Sequence, residues 1–166
     1  EARALFDECA AIARGLDNLA LVAASRHSLG WVALQQGAAT EAVALFHEAV
    51  ELQQRIGGQA ALIEAIEGLA CALAARGDGL RAARLFGAAD SLRKQHQAAM
   101  PPSDYVLLVP YIQRLRSEQG PGPFATAWAA GEQLALTEAI ALALEGAEAG
   151  TGVASLSPAG TSASSR

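Results

Sequence analysis

Three segments of this chain repeat one pattern at an interval of 40 residues, and this period constrains the fold more than any other feature. An Ala-x-x-Leu-Phe pattern followed three residues later by a small residue occupies residues 2–10, 42–50 and 82–90. Gly37 and Gly77 share the same interval. Self-similarity at a fixed period is typical of stacked supersecondary units rather than of a single globular core.

Each period is long enough for two helices, which indicates an all-α protein. We predict helices over about 19–36 and 40–56 in the first complete unit, and over about 59–76 and 80–97 in the second. Residues 1–17 supply only the second helix of an earlier unit. We therefore interpret the chain as a fragment of a longer protein, and we expect an open apolar face on its first helix.

Capping signals support these limits. Thr40 is a predicted N-cap, and Glu41 suits the positive end of the helix dipole. Gly57 is expected to end its helix, because glycine adopts the left-handed C-cap conformation without steric cost.

A different organisation begins at Pro101-Pro102. We predict a helix over about 103–119 with Ser103 or Asp104 as its N-cap and a kink or break at Pro110, since proline removes a backbone donor. A short helix carrying Phe124 and Trp128 follows, and then a last helix capped by Thr137. These helices are expected to cap the open end of the stack.

The predicted organisation has three parts: repeats over residues 1–98, a helical cap over 99–147, and a disordered tail over 148–166. The tail consists mostly of Gly, Ala, Ser and Thr. Such a segment buries too little apolar surface to offset its ordering entropy.

Composition and charge exclude several classes of function. The formal net charge is −5, which argues against direct nucleic-acid binding, because phosphate contacts need a concentrated positive field. No apolar run reaches the roughly 20 residues that span a bilayer. Cys9 and Cys71 lack metal or redox spacing, so we interpret both as small buried apolar residues in a reducing cytoplasm.

The offsets within the unit resemble those of the tetratricopeptide repeat. Leu29-Gly30 corresponds to its central Leu-Gly pair, Gly37 to its turn, and Ala42, Phe46 and Ala49 to its helix-packing positions. The resemblance implies an α-solenoid of helical hairpins with a period of 40 rather than 34 residues. Phe46 and Phe86 are expected to fill the space between units.

Roughly residues 20–147 are similar to the carboxy-terminal repeats of large bacterial ATP-dependent transcription regulators of the LuxR type and of related predicted ATPases, most specifically in the last third of that range. The resemblance rests on residues 81–93, Pro101-Pro102, 124–131 and 137–145. It implies a cytoplasmic regulatory module coupled to an upstream nucleotide-binding domain. Residues 1–166 contain no phosphate loop and no recognition helix.

The first helix of each tetratricopeptide unit lines the concave surface, which gives a candidate groove. Its predicted lining residues are His27, Trp31, Leu34, Gln35, Glu64, Glu67 and Cys71, with Ala24, Ala74 and Ala75 beside them. An aromatic ring next to a histidine and two carboxylates would suit a peptide with an apolar and a cationic residue. The alternative is that Trp31 is a packing residue and the carboxylates are solvated.

The sequence offers little evidence for catalysis. His47 and Glu48 lack the second histidine of a zinc-protease helix, and we expect no metal and no cofactor. An enzyme would need a pocket of titratable groups around Tyr105, Tyr111 and Arg114.

We therefore predict a non-catalytic interaction module that binds a protein, a peptide, a small effector or another domain of the same polypeptide in its groove. The alternatives are an inter-domain scaffold without a ligand and self-association through the exposed first helix.

Overall fold

A computed structural model describes residues 2–146, and over that range it contains eight α-helices and no strand. In chain order the helices are α1 (Ala2–Gly15), α2 (Leu19–Gln35), α3 (Ala39–Ile56), α4 (Gln59–Arg76), α5 (Gly79–Gln95), α6 (Pro102–Gln119), α7 (Pro121–Glu132) and α8 (Leu136–Leu144). The prediction of an all-α solenoid of tetratricopeptide-like hairpins is confirmed. The predicted disordered tail, 148–166, lies outside the described residues.

The repeat region follows the 40-residue period closely. The helix limits of α2 to α5 agree with the sequence expectation to within two residues. Helices α2 and α3 form one hairpin and α4 and α5 the next, and α4 packs on α3 as α2 packs on α1. Gly57 and Gly77 end their helices at φ of 81° and 98°, which is the left-handed conformation expected of a glycine C-cap.

The predicted N-caps of three helices are wrong, because α3, α6 and α8 each begin one or two residues earlier than expected. The residues predicted as caps lie in the first turns of α3, α6 and α8: Thr40, Ser103, Asp104 and Thr137. A cap that the sequence analysis missed is Asn18, whose Oδ1 accepts a hydrogen bond from the backbone N–H of Leu21 at 3.1 Å. Helix α6 also continues through Pro110 rather than splitting there.

Small residues set the distances between helices in the core. The fully buried ring of Phe46 lies between α2 and α4, where it contacts the backbone at Gly30 and Gly68. A Cβ atom at either glycine would overlap that ring. The two glycines therefore create the space in which the repeat aromatic residue packs.

Beyond the repeats, α7 rather than α6 packs closely against α5. A Cβ atom at Gly87 would overlap the carbonyl group of Trp128, and one at Gly131 would overlap the carbonyl group of Arg84. The side chain of Ser91 donates a hydrogen bond to the carbonyl of Glu132 at 3.0 Å. Helix α7 thus takes the place against α5 that α4 takes against α3.

Helix α8 packs against α3 and α5. Arg81 of α5 donates hydrogen bonds to the carbonyls of Leu142, Ala143 and Glu145 at 2.8, 3.1 and 2.6 Å. A cation suits the negative end of a helix, so Arg81 both caps α8 and holds it on the stack.

The first helix has the open apolar face that the sequence predicts. Leu5 and Ile12 of α1, and Leu16 in the turn directly after it, are 66%, 56% and 71% exposed. In the next two copies of the repeat, Leu45 and Leu85 at the position of Leu5 are buried.

The prediction that Cys9 is buried is wrong, because its side chain is half-buried.

Candidate functional site

The structure brings part of the predicted groove together between α2 and α4. His27 and Trp31 of α2 face Glu64 and Glu67 of α4 across a narrow space. The other three predicted residues lie elsewhere. Leu34 and Cys71 are buried in the core, and Gln35 is exposed at the end of α2.

Three of the predicted groove residues are thus interior residues, namely Leu34, Glu67 and Cys71. The sequence analysis expected Cys71 and Glu67 to face a groove, but Cys71 is fully buried and Glu67 is only 4% exposed. Helix α4 is in contact with α2, α3, α5, α6 and α8. Positions of α4 that the repeat register predicts to face the groove are therefore covered by other helices. Burial raises the pKa of the Cys71 thiol well above its usual range, which leaves it protonated and unreactive.

The role of Glu67 is to pair with Arg93 of α5. The Nε and one terminal nitrogen of Arg93 donate to the two carboxylate oxygens of Glu67, both at 2.7 Å. Arg93 is itself only 6% exposed. Burial raises the pKa of Glu67, whereas the guanidinium opposes that shift. This planar two-bond geometry joins the two helices of the second unit.

Trp31 and His27 form an aromatic cluster with Phe46. The rings of Trp31 and His27 meet that of Phe46 edge to face, with centroids 5.6 and 5.5 Å apart. The indole N–H of Trp31 donates to Nε2 of His27 at 3.4 Å. Burial lowers the pKa of His27, which is consistent with a neutral ring that accepts this bond. Trp31 therefore has a packing role in addition to its position at the groove.

Helix α6 covers one half of the groove. Asp104, Leu107 and Leu108 of α6 lie against His27, Trp31, Glu64 and Glu67. The space left beneath them is about 30 Å³, which is roughly the volume of one water molecule. The sequence analysis did not foresee this contact, because no local pattern indicates where α6 packs.

The other half of the groove is open. A cleft of about 150 Å³ continues from His27 and Glu64 towards Ser28 and Gln53. Its remaining lining consists of alanines, namely Ala23, Ala24, Ala49, Ala61 and Ala65. Ala23, Ala49 and Ala65 are fully buried, so Ala24 and Ala61 are the alanines of this cleft that another chain could reach.

A second cleft, which the sequence analysis missed, lies where the α1–α2 turn meets α3. Its volume is about 380 Å³, and its charges come from Arg14, Asp17, Arg26, Glu48 and Glu51. Arg26 and Glu48 approach to 2.7 Å. Two cations and three carboxylates thus give this cleft a small excess of negative charge.

The residues that an enzyme would need have structural or solvent-facing positions. Tyr105 is 61% exposed, and Arg114 pairs with Glu118 on its own helix at 2.6 Å. Burial raises the pKa of Tyr111, which moves it away from the range of a general base. No group of three metal-ligating side chains occurs among residues 2–146, and no helix there is long and apolar enough to cross a membrane.

Comparison with known proteins identifies the repeat type. A tetratricopeptide-repeat family model matches residues 22–59, which include nearly all of α2 and the whole of α3. Searches of curated proteins and of solved structures found no match. Nothing in these comparisons links the chain to LuxR-type regulators or ATPases. Residues 22–59 form a tetratricopeptide-type repeat, and repeats of this family generally mediate protein–protein interaction and are typically not enzymes.

Proposed function

We propose that this chain is a non-catalytic module that binds a segment of a protein partner in the groove between α2 and α4. The observation that carries this proposal is the open cleft of about 150 Å³. Alanines line most of it, and His27 and Glu64 provide polar groups at one end. A narrow apolar channel with a few polar groups suits a peptide or a helix better than a charged small molecule.

The partner suggested by this lining has an apolar side chain next to a cationic one. The apolar group would lie on the alanine floor, and the cation would lie near Glu64. Glu64 is half-buried, so a cation there would find a partly desolvated carboxylate and would bind it more strongly than a fully exposed one.

We further propose that the module belongs to a multidomain bacterial transcription regulator or signalling ATPase in the cytoplasm. The support is the resemblance of residues 81–93, 124–131 and 137–145 to the carboxy-terminal repeats of LuxR-type regulators. In that setting the groove would recognise a protein, and the upstream domain would respond to nucleotide. The net charge of −5 argues against direct DNA binding by this part of the protein.

A displayed peptide library tests the groove directly. Peptides selected against the chain should lose about ten-fold or more in affinity when Ala24→Arg blocks the cleft, since one lost anchor costs roughly 1.4 kcal/mol. Ala24 is an exposed alanine of α2, and Ala44 is an exposed alanine of α3 outside this cleft. Ala44→Arg is therefore the matched control and should leave affinity unchanged.

Fluorescence anisotropy with the selected peptides gives the affinities. Equal losses for both arginine variants, or no loss for Ala24→Arg, would place the binding surface elsewhere. Failure to select any peptide would also count against the proposal.

A second candidate function is scaffolding or self-association through α1. The exposed side chains of Leu5, Ile12 and Leu16 favour it, because a continuous apolar stripe on a helix generally has a partner. Sedimentation at several concentrations tests it: a dimer that dissociates on Ile12→Glu substitution would support this function, and a monomer at all concentrations would contradict self-association.

A further inference from the structure

Helix α6 occupies part of the groove, whereas α7 takes the position against α5 that continues the stack. The 40-residue period would place a third first-type helix at about residues 99–116, yet α7 makes the close contact with α5. Helix α6 touches α4, α5 and α7 more lightly, and its first half reaches α2 at His27 and Trp31. The α5–α7 contact at Gly87 and Gly131 is made by atoms of those two helices. The end of α6 touches them through Arg116, whose guanidinium lies 5.2 Å from the centre of the Phe124 ring, and through Gln119 beside Gly79.

The packing of α6 is weak for a helix of 18 residues. Only Leu108 and Leu115 are buried, while Tyr105 and Val106 are 61% and 70% exposed. Over residues 2–146, no hydrogen bond joins a side chain of α6 to α2 or α4. Few buried apolar contacts are a mark of segments that open at low free-energy cost.

The charges beneath α6 include three carboxylates and one guanidinium: Arg93 attracts Asp104 as well as Glu64 and Glu67 and so offsets part of their mutual repulsion. Asp104 lies close to Glu64 and Glu67, and the cation in this region, Arg93, is already paired with Glu67. Burial and then the charge of Asp104 raise the pKa of Glu64. Like charges brought together in a partly buried site destabilise the arrangement that holds them there.

The ends of α6 allow it to move as a unit. Pro101 precedes it and Gly120-Pro121 follows it. Proline cannot continue the backbone hydrogen bonding of a preceding helix, so α6 is separated from both α5 and α7 by residues that interrupt helical structure.

We infer that α6 is a displaceable lid that occupies the groove in place of a partner, and that the partner is an amphipathic helix resembling α6. This inference rests on the proposed function. Such a helix would place two adjacent leucines on Trp31 and His27, as Leu107 and Leu108 do. A partner with a cation at the position of Asp104 would meet Glu64 favourably and would displace α6.

A synthetic labelled peptide of residues 101–119 is the probe for this exchange. Leu108→Asp removes the buried anchor of the lid, and we expect it to bind the probe about ten-fold more tightly than the unmodified chain, because a larger fraction of molecules is open. Val106→Asp makes the same chemical change on the exposed side of α6 and should bind like the unmodified chain. Adding Trp31→Ala to Leu108→Asp should abolish the gain.

Hydrogen exchange on the unmodified chain provides a test that does not depend on any variant folding. The amides of α6 should exchange much faster than those of α5 and α7, since α6 opens while they stay packed. Protection of α6 equal to that of α5 would overturn the inference, as would equal probe binding by Leu108→Asp and Val106→Asp. If library peptides still bind the open half of the groove in that case, the proposed function stands and only the lid is wrong.

Discussion

Phe46 and Phe86 occupy the same position of the 40-residue period but are packed in two different ways. Phe46 is fully buried between the backbones of α2 and α4 at Gly30 and Gly68. Phe86 instead stacks on the ring of Trp128 of α7, with centroids 6.4 Å apart. Phe46 also meets the rings of His27 and Trp31, so what distinguishes it from Phe86 is its direct contact with helix backbone at the two glycines.

The residue that follows the phenylalanine also differs between the two units: it is His47 in the first and Gly87 in the second. Gly87 lets the backbone of α7 approach α5 directly. At the corresponding position of the first unit, His47 is buried next to the backbone of Ala143 in α8. Equivalent positions of the two units thus contact two different helices, α7 at Gly87 and α8 at His47. The absence of a side chain at Gly87 permits a closer approach than the imidazole of His47 does.

The largest expected effect comes from truncating the two phenylalanines. Phe46→Ala should lower the free energy of unfolding by about 3 to 5 kcal/mol, because the helix backbones around it cannot collapse into the cavity. Phe86→Ala should cost less, since the half-buried Trp128 can move into the space. Urea denaturation of both variants measures the difference. Equal losses, or a larger loss for Phe86→Ala, would show that the two environments are energetically the same.

A smaller effect is expected from adding a methyl group at the close contacts. Gly68→Ala meets the ring of Phe46, whereas Gly131→Ala meets the backbone of Arg84. Each should cost roughly 1 to 3 kcal/mol through overpacking. Phe46→Leu should relieve part of the cost of Gly68→Ala, because a smaller side chain makes room for the methyl group. No such relief is available when the obstacle is backbone.

A control within α7 separates this steric cost from helix propensity. A Cβ atom at Gly122 would meet no atom within 4 Å, so Gly122→Ala should be neutral or slightly stabilising. If Gly131→Ala and Gly122→Ala behaved alike in the same denaturation experiment, the close approach of α5 and α7 would not be a determinant of stability.

The sequence predicts those features of the fold and of the groove that depend on neighbouring residues. It does not predict features that depend on contacts between residues far apart in the chain. The period and the glycines fixed α2 to α5 because helix ends are local. Which helix would follow α5 was not predictable, because it depends on Gly87 meeting Gly131, 44 residues away. The repeat register, which is also a local signal, predicted that His27, Trp31 and Glu64 lie near one another, whereas the pairing of Glu67 with Arg93 was missed. That the groove residues bind a partner stays a prediction.

The smallest expected effect concerns His47 and the pH dependence of stability. Burial and then the charge of Arg81 lower the pKa of His47, and Arg76 acts in the same direction. The ring Nε2 is buried without a hydrogen-bond partner in the described residues. A histidine whose pKa is lower in the folded than in the unfolded state stabilises the fold above its unfolded pKa of about 6.5 and loses that contribution as the pH falls below it.

Thermal denaturation at pH 7.5 and pH 5.5 measures this contribution. The unmodified chain should melt at a lower temperature at pH 5.5, and His47→Gln should reduce that difference. The difference should not vanish, because burial also lowers the pKa of His27, which acts with the same sign. An unchanged difference in His47→Gln would mean that the contact between α3 and α8 tolerates a charged imidazole. Since Gly87 cannot titrate, any pH response at this repeat position arises from the first unit alone.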